Sequence, residues 1–305
     1  MTFIIFIIFN QVIMRKNLKI EFNDSSSSYS RIGLSKSYVI FAIILFGMFN
    51  FSAAQVDGKQ TNKDEYTPFS LSAHIKNMHT WHGFVVHPGA MIASSLEYNS
   101  RNKKFTFGFW GGASFSTVDV KNVSTGENES AYYKEVSIYT KYRFSDKFFI
   151  EAVSHNNYTG VEERGDKLEY WSYDKTQGYN FVDLNFGYNI TPNTLLYFAT
   201  IINGGSGDYE IQEDGQLKDS WTHYFEVNSR VWQNTDSSLS LFAGGAWSFI
   251  TDKTFYTEGA GNIIKVGATY NKQFDVLQHT IPVDVTLMWN PEQEKTVIQL
   301  DITLF

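Results

Sequence analysis

The side chains able to do chemistry sit at every second position of short segments. Glu135, Ser137, Tyr139, Lys141 and Arg143 alternate with Val136, Ile138, Thr140, Tyr142 and Phe144. Asp183, Asn185 and Asn189 alternate with Val182, Leu184, Phe186 and Tyr188. Period two separates the two faces of a β-strand, so each segment carries charge on one face and grease on the other. The polar set collected this way is Glu97, Glu135, Lys141, Arg143, Glu151, His155, Asp183, Glu226, Arg230, Lys265, Asp284 and Asp301. Acids outnumber bases in it. Such a wall concentrates cations if it lines water, and pairs its charges if it does not. Other candidates carry less. Ser154 and His155 are neighbours, and an imidazole activates a hydroxyl on its own strand face only at a two-residue step, where Asn157 stands instead. His74, His79, His82 and His87 crowd one stretch. His79 and His82, three apart, cannot share a strand face to hold a metal, so solvated rim positions are expected for this group. The acidic segment 207–215 lacks the spacing of a calcium loop. No cysteine is present, which excludes thiol chemistry and Cys-based metal sites. No cofactor or metal is expected.

The elements that must position these residues are strands. Aromatic residues make up 17% of the chain, yet Pro is only 5 and the mean hydropathy is negative. No apolar run beyond residue 55 approaches the roughly 20 residues a helical span needs. Alternating strands hide their grease in this way. The net charge of -7 argues against a nucleic-acid partner. Residues 1–54 read as an over-long leader with a secretory signal: Lys36 precedes the apolar stretch 38–51, and Ser52-Ala53-Ala54 ends it. Residues 55–67 read as a flexible lead-in, and 68–305 as one domain. At roughly 20 residues per strand and turn, that domain holds about 12 strands. They are expected near 68–80, 88–99, 104–116, 131–145, 147–157, 178–190, 194–203, 219–232, 238–250, 261–271, 277–289 and 295–305. Tight turns (100–103, 145–147, 191–193, 234–237) then mostly alternate with long polar loops (117–130, 158–177, 204–218, 251–260).

The final segment, Thr296 to Phe305, alternates without a break and stops at an aromatic residue. It resembles the C-terminal signature of bacterial outer-membrane β-barrels, with one departure. Leu304, Ile302, Leu300 and Ile298 form the apolar face, and Phe305 falls out of phase with them. Either a bulge at the rim shifts the register, or Phe305 points inward. Nearer the start, Thr80-Trp81-His82-Gly83-Phe84-Val85-Val86-His87-Pro88-Gly89-Ala90-Met91, Ser95-Leu96-Glu97-Tyr98 and Phe107-Gly108-Phe109-Trp110-Gly111 resemble the first hairpins of the TorF-type family of outer-membrane barrels, classed as porins. The similarity to nucleoside-specific channel barrels is looser. The family pattern is an aromatic-basic-Gly turn, a Pro-led second strand and a Gly-aromatic third; His82 stands where Arg is commoner. The resemblance covers about a tenth of the chain.

The expected architecture is therefore an all-β, transmembrane, antiparallel up-and-down barrel. Its charged face points inward, since a Lys or Arg on the lipid face costs about 2–4 kcal/mol at the midplane. Aromatic residues near strand ends (Tyr98, Tyr142, Phe144, Tyr188, Trp247, Trp289) suit interfacial girdles. The resemblance implies passive transport with no named solute. The expected function is an outer-membrane, porin-like channel for small hydrophilic solutes, not an enzyme, with the polar set as pore lining. Its expected partners are outer-membrane lipid and lipopolysaccharide, and the barrel-assembly machinery through the C-terminal strand. Two other readings compete: a structural or adhesive surface barrel acting through its long loops, and an outer-membrane lipid hydrolase.

Overall fold

The computed structural model describes residues 66–122, 125–165, 167, 169–175, 180–204, 207–276 and 279–305. The expected leader and most of the expected lead-in lie outside the described residues. Among these, the wall strands are β1 (Phe69–Lys76), β4 (Met91–Asn99), β5 (Phe105–Lys121), β6 (Asn128–Arg143), β7 (Phe148–Asn156), β8 (Asn180–Thr191), β9 (Thr194–Gly204), β12 (His223–Gln233), β13 (Ser237–Trp247), β14 (Gly261–Val276), β15 (His279–Asn290) and β16 (Lys295–Thr303). Each pairs antiparallel with the next, and β1 pairs with β16 to close the barrel. The two remaining hairpins, β2 (His79–Trp81) with β3 (Phe84–His87) and β10 (Tyr209–Ile211) with β11 (Leu217–Asp219), stand outside the wall. The barrel is the expected twelve-stranded meander.

Facing follows the alternation. Phe105, Phe107 and Phe109 are exposed on the outside of β5, while Thr106 and Gly108 are buried within. Leu96, Val136, Leu241, Leu287, Ile298 and Leu300 are likewise exposed, and Glu135, Asp183, Asn185 and Glu226 are buried. An apolar exterior around a charged interior reverses the arrangement of a soluble barrel and fits strands that cross a lipid bilayer. Tyr98, Tyr142, Phe144, Tyr188 and Trp289 are all exposed near strand ends, as girdle residues must be. Inside, Tyr139 lies so close over Gly108 that an added Cβ would meet its ring at 2.3 Å. The lumen is too crowded there for a side chain on both strands.

The connections sort by end. The links 100–104, 144–147, 192–193, 234–236 and 277–278 are short and share one end of the barrel with both chain ends of the wall. The opposite end holds the longer links 77–90, 157–179, 205–222 and 248–260, together with the short 122–127 and 291–294. Segment 117–130 departs from expectation. Most of it is strand, because β5 and β6 stay paired out to Lys121 and Asn128. β14 also runs on to Val276, beyond the expected 271.

The two ends of the wall sequence settle two points. β1 stops at Lys76 rather than continuing to 80. Asn77 takes over the edge of β16: its side chain accepts from the Leu300 amide (2.8 Å) and donates to the Ile298 carbonyl (3.0 Å). With that edge satisfied, the chain is free to leave the wall. At the other end, the Leu304 amide donates to the Ala73 carbonyl (2.8 Å), while the Ala73 amide donates to the Phe305 carbonyl (3.1 Å). Two residues thus oppose one, so β16 finishes in a bulge. Of the two alternatives for the out-of-phase Phe305, this is the rim bulge.

Candidate functional site

Segment 78–87 carries no Asp, Glu, Lys or Arg. Such a stretch is poorly suited to water at the long-loop end, and it turns inward. β2 and β3 form a hairpin whose two-residue turn is His82-Gly83, both with positive φ (44° and 91°). That is the backbone of a type I′ turn, which suits the twist of the flanking strands. The hairpin reaches across the lumen. The His82 ring lies flat against Trp81 (4.2 Å between ring centres) and Tyr224 of β12 (4.0 Å). Its Nδ1 is 2.9 Å from the Tyr256 hydroxyl on the 248–260 loop. Asn290 of β15 donates to the Gly83 carbonyl (3.1 Å). A Cβ on Gly83 would meet the Ile264 carbonyl of β14 at 2.2 Å, so only glycine lets the tip seat on that wall.

Two apolar clusters fix the hairpin. Around the tip, Trp81 and Phe84 pack against Tyr224, Tyr256, Ala246 and Ile264. Around the base, Val86 packs with Met91, Ala93 and Tyr133. His79 stacks on Trp110 (5.1 Å), and His87 on Tyr133 (5.4 Å). The expectation of water-solvated rim histidines is therefore overturned for His82 and His87, which are buried, and His79 is stacked among aromatic rings. His74 differs: it lies on β1 at 3.0 Å from Asp301. Among the described residues no cluster of His, Asp or Glu has the arrangement of a metal site.

The hairpin touches strands near their long-loop ends and divides the interior. Beyond it lies a cavity of about 420 Å³, lined by hairpin residues, Phe181, Val120 and loop residues such as Asn157, Thr159, Phe255 and Tyr256. Behind it lies one of about 370 Å³, lined by Lys76, Ser95, Glu97, Ser137, Tyr139, Lys141, Glu151 and others. His79, Trp81, Glu135 and His155 line both cavities. These four side chains form the partition between vestibule and inner chamber.

The polar residues expected from sequence distribute around this partition. His155 Nε2 is 3.2 Å from Asp183, and its Nδ1 is 3.8 Å from Glu135. Glu135 also accepts from the Tyr133 hydroxyl (2.6 Å) and Ser137 (3.1 Å), and Asp183 accepts from Asn185 (3.1 Å). The group of two carboxylates and one imidazole is net negative whether or not His155 is protonated. In the inner chamber Lys141 pairs with Glu151 (2.7 Å). Lys265 pairs with Glu226 (2.7 Å), and Lys76 with Asp301 (2.8 Å). Glu97 accepts instead from Tyr139 (2.7 Å), and Asp284 from Asn271 (2.7 Å), both neutral donors. The lysines inside are thus matched by acids, and the remaining carboxylates leave the interior net negative. Arg143 and Arg230 lie near the short-turn rim, Arg143 over the Phe149 ring (5.6 Å) and Arg230 bonded to Asn193 (2.5 Å).

No protein-family model matches the chain, and no curated protein matches it. Solved structures similar to it include a porin, a translocator domain and a phospholipase. A NanC porin aligns with a TM-score of 0.39 at 6% identity, covering 77% of this chain and 98% of that one. The translocator domain of the autotransporter NalP from Neisseria meningitidis gives 0.37 at 7%, covering 88% and 96%. Outer membrane phospholipase A from Escherichia coli gives 0.33 at 10%, covering 79% and 98%. A porin, a translocator and a phospholipase do not select one activity, so the choice falls to the chain's own residues.

Ser154 and His155 make no nucleophile–base pair. The Ser154 hydroxyl bonds Asn156 (3.0 Å) and Tyr173 (2.7 Å) on the opposite face from the carboxylates that hold His155. Trp81 carried no expectation as a lumen residue, and His79 and His82 were expected only as solvated rim positions, yet all three stand at the partition or the hairpin tip. The available signal was the uncharged segment 78–87 with a two-residue His-Gly turn at its centre.

Proposed function

We propose that the protein is an outer-membrane channel for small hydrophilic solutes, with the long-loop end facing outward and its mouth narrowed by the β2–β3 hairpin. The observation that carries this reading is the pair of cavities meeting at His79, Trp81, Glu135 and His155 inside a net-negative wall. Solutes small enough to pass Trp81 cross from vestibule to chamber, and the carboxylates favour cations. The sequence-derived lining set serves this role in two groups: Glu97, Glu135, Lys141, Glu151, His155, Asp183, Glu226, Lys265 and Asp284 within the lumen, and Arg143 with Arg230 at its inner rim. Purified protein in planar bilayers should give discrete current steps with cation preference. That preference should fade between 0.1 M and 1 M salt, as the Debye length falls from about 10 Å to about 3 Å. Silence at every salt would refute the reading.

A surface role through the loops is a second reading. Tyr170 and Trp171 favour it, standing 57% and 65% exposed on the β7–β8 loop. Binding of intact cells to a partner surface, abolished by replacing both with serine while currents persist, would establish it alongside the channel.

A further inference from the structure

We propose that the outer vestibule is a binding site for a small organic cation carrying an aromatic ring. The proposal names a solute class for the channel and in that sense rests on the reading above. It is carried by the cavity's chemistry. The walls are apolar and rich in rings: Trp81, Phe84, Phe181, Phe255 and Tyr256 all line it. Trp81 is 5.5 Å from Phe181 and 5.4 Å from Tyr256, centre to centre, and Phe255 is 5.2 Å from Phe181, so the rings form one continuous surface. A hydrophilic passage needs no such surface. A ring-bearing ligand does, by stacking, and a cation gains further from the negative faces of the rings.

The floor supplies the charge. Glu135 and His155 lie there, with Asp183 directly behind His155. Glu135 accepts from the Tyr133 and Ser137 hydroxyls and faces His155 Nδ1 at 3.8 Å, while a carboxylate offers about four acceptor sites. It retains capacity for an ammonium group. Beside it, His79 Nδ1 is buried without a hydrogen-bond partner among the described residues. Arg164 also lines the cavity, from the β7–β8 loop beyond the strands. Among the described residues Glu135 is the one carboxylate of the lining and Arg164 stands at the loop side, so an ammonium group is held at the floor and the ring among the aromatic walls. At about 420 Å³ the cavity is within the range of small-molecule sites and holds a one- or two-ring ligand.

Titration calorimetry on the full barrel in detergent tests this without reference to current. The probes are 2-phenylethylammonium, ethylammonium, which lacks the ring, and phenylacetate, which reverses the charge. Saturable binding of the first, at least tenfold tighter than either control, is expected. Phe255→Ala, on a loop outside the wall, should weaken it about tenfold, and Glu135→Gln should remove the preference over phenylacetate. Retained heat-modifiable mobility on gels would show that both variants still fold. No binding, equal binding of all three probes, or tighter binding of phenylacetate would overturn the proposal. A conducting barrel that binds none of them leaves the channel standing and the site refuted. A silent barrel that binds the aromatic cation does the reverse.

Discussion

Gly83 decides whether the hairpin tip can touch β14. An added methyl would collide with the Ile264 carbonyl, and a positive φ is itself unfavourable for alanine, by about 1–2 kcal/mol. Gly83→Ala should therefore lift the tip from the wall without altering any wall strand. Single-channel currents should rise several-fold over wild type; unchanged current would mean that the tip does not narrow the path. Asp183 illustrates a second residue-scale effect. Alternation alone marks it as one more lumen carboxylate, indistinguishable from Asp284. In the fold it is almost fully buried, bonded by Asn185 and facing His155, whereas Asp284 is half-buried and bonded to Asn271. Asp183→Asn should lower stability in urea titrations by about 1–3 kcal/mol, the cost of disturbing a buried hydrogen-bonded charge. Asp284→Asn should cost clearly less. Equal losses would remove the special standing of the Glu135–His155–Asp183 group.

At the scale of elements, strand position and facing were legible because the lipid enforces them at every second residue. Leu184 points outward in phase with Val182, Phe186 and the exposed Tyr188. Leu184→Arg should cost about 2–4 kcal/mol if it lies near the midplane, read from folding yield into lipid vesicles. Tolerance there would contradict the facing of β8. The inward hairpin was not legible in the same way. Its resemblance-based aromatic-basic-Gly turn is present at Trp81-His82-Gly83, but local pattern does not reveal which side of a wall a connection folds onto. That depends on contacts with Tyr224, Tyr256, Ile264 and Asn290, all more than a hundred residues away in sequence. The loop 248–260 shows the same limit. It reads as a polar outer loop, yet its threonines bond one another and the backbone: Thr254 to Thr257 at 2.7 Å, and Thr251 to the Lys253 carbonyl at 2.6 Å. With its polar groups satisfied within the loop and by Ser220, Thr222 and Glu292 beside it, the loop can bury Tyr256 against the hairpin tip.

At the scale of the whole molecule, the closed wall is a frame, and in the proposed channel the connections narrow its path. Both barrel ends are defined by loop length, so orientation is testable. Tags inserted in 205–222 should be reachable by antibody on intact cells, and tags at 144–147 should not; the opposite labelling would invert the molecule. Asp208 helps to anchor the first of these loops, taking hydrogen bonds from the Thr222 hydroxyl (2.5 Å) and amide (3.4 Å). Burial raises the pKa of its carboxyl, and the Thr222 bonds offset this only in part. In the proposed channel the hairpin, not the wall, sets the width of the path. The most direct measurement is bilayer conductance after replacing 79–87 with a short Gly-Ser link, which leaves every wall strand intact. Small cation-preferring steps are expected for the native chain, and steps several-fold larger with the link. Equal conductance in the two, or silence in both, would contradict that role of the hairpin.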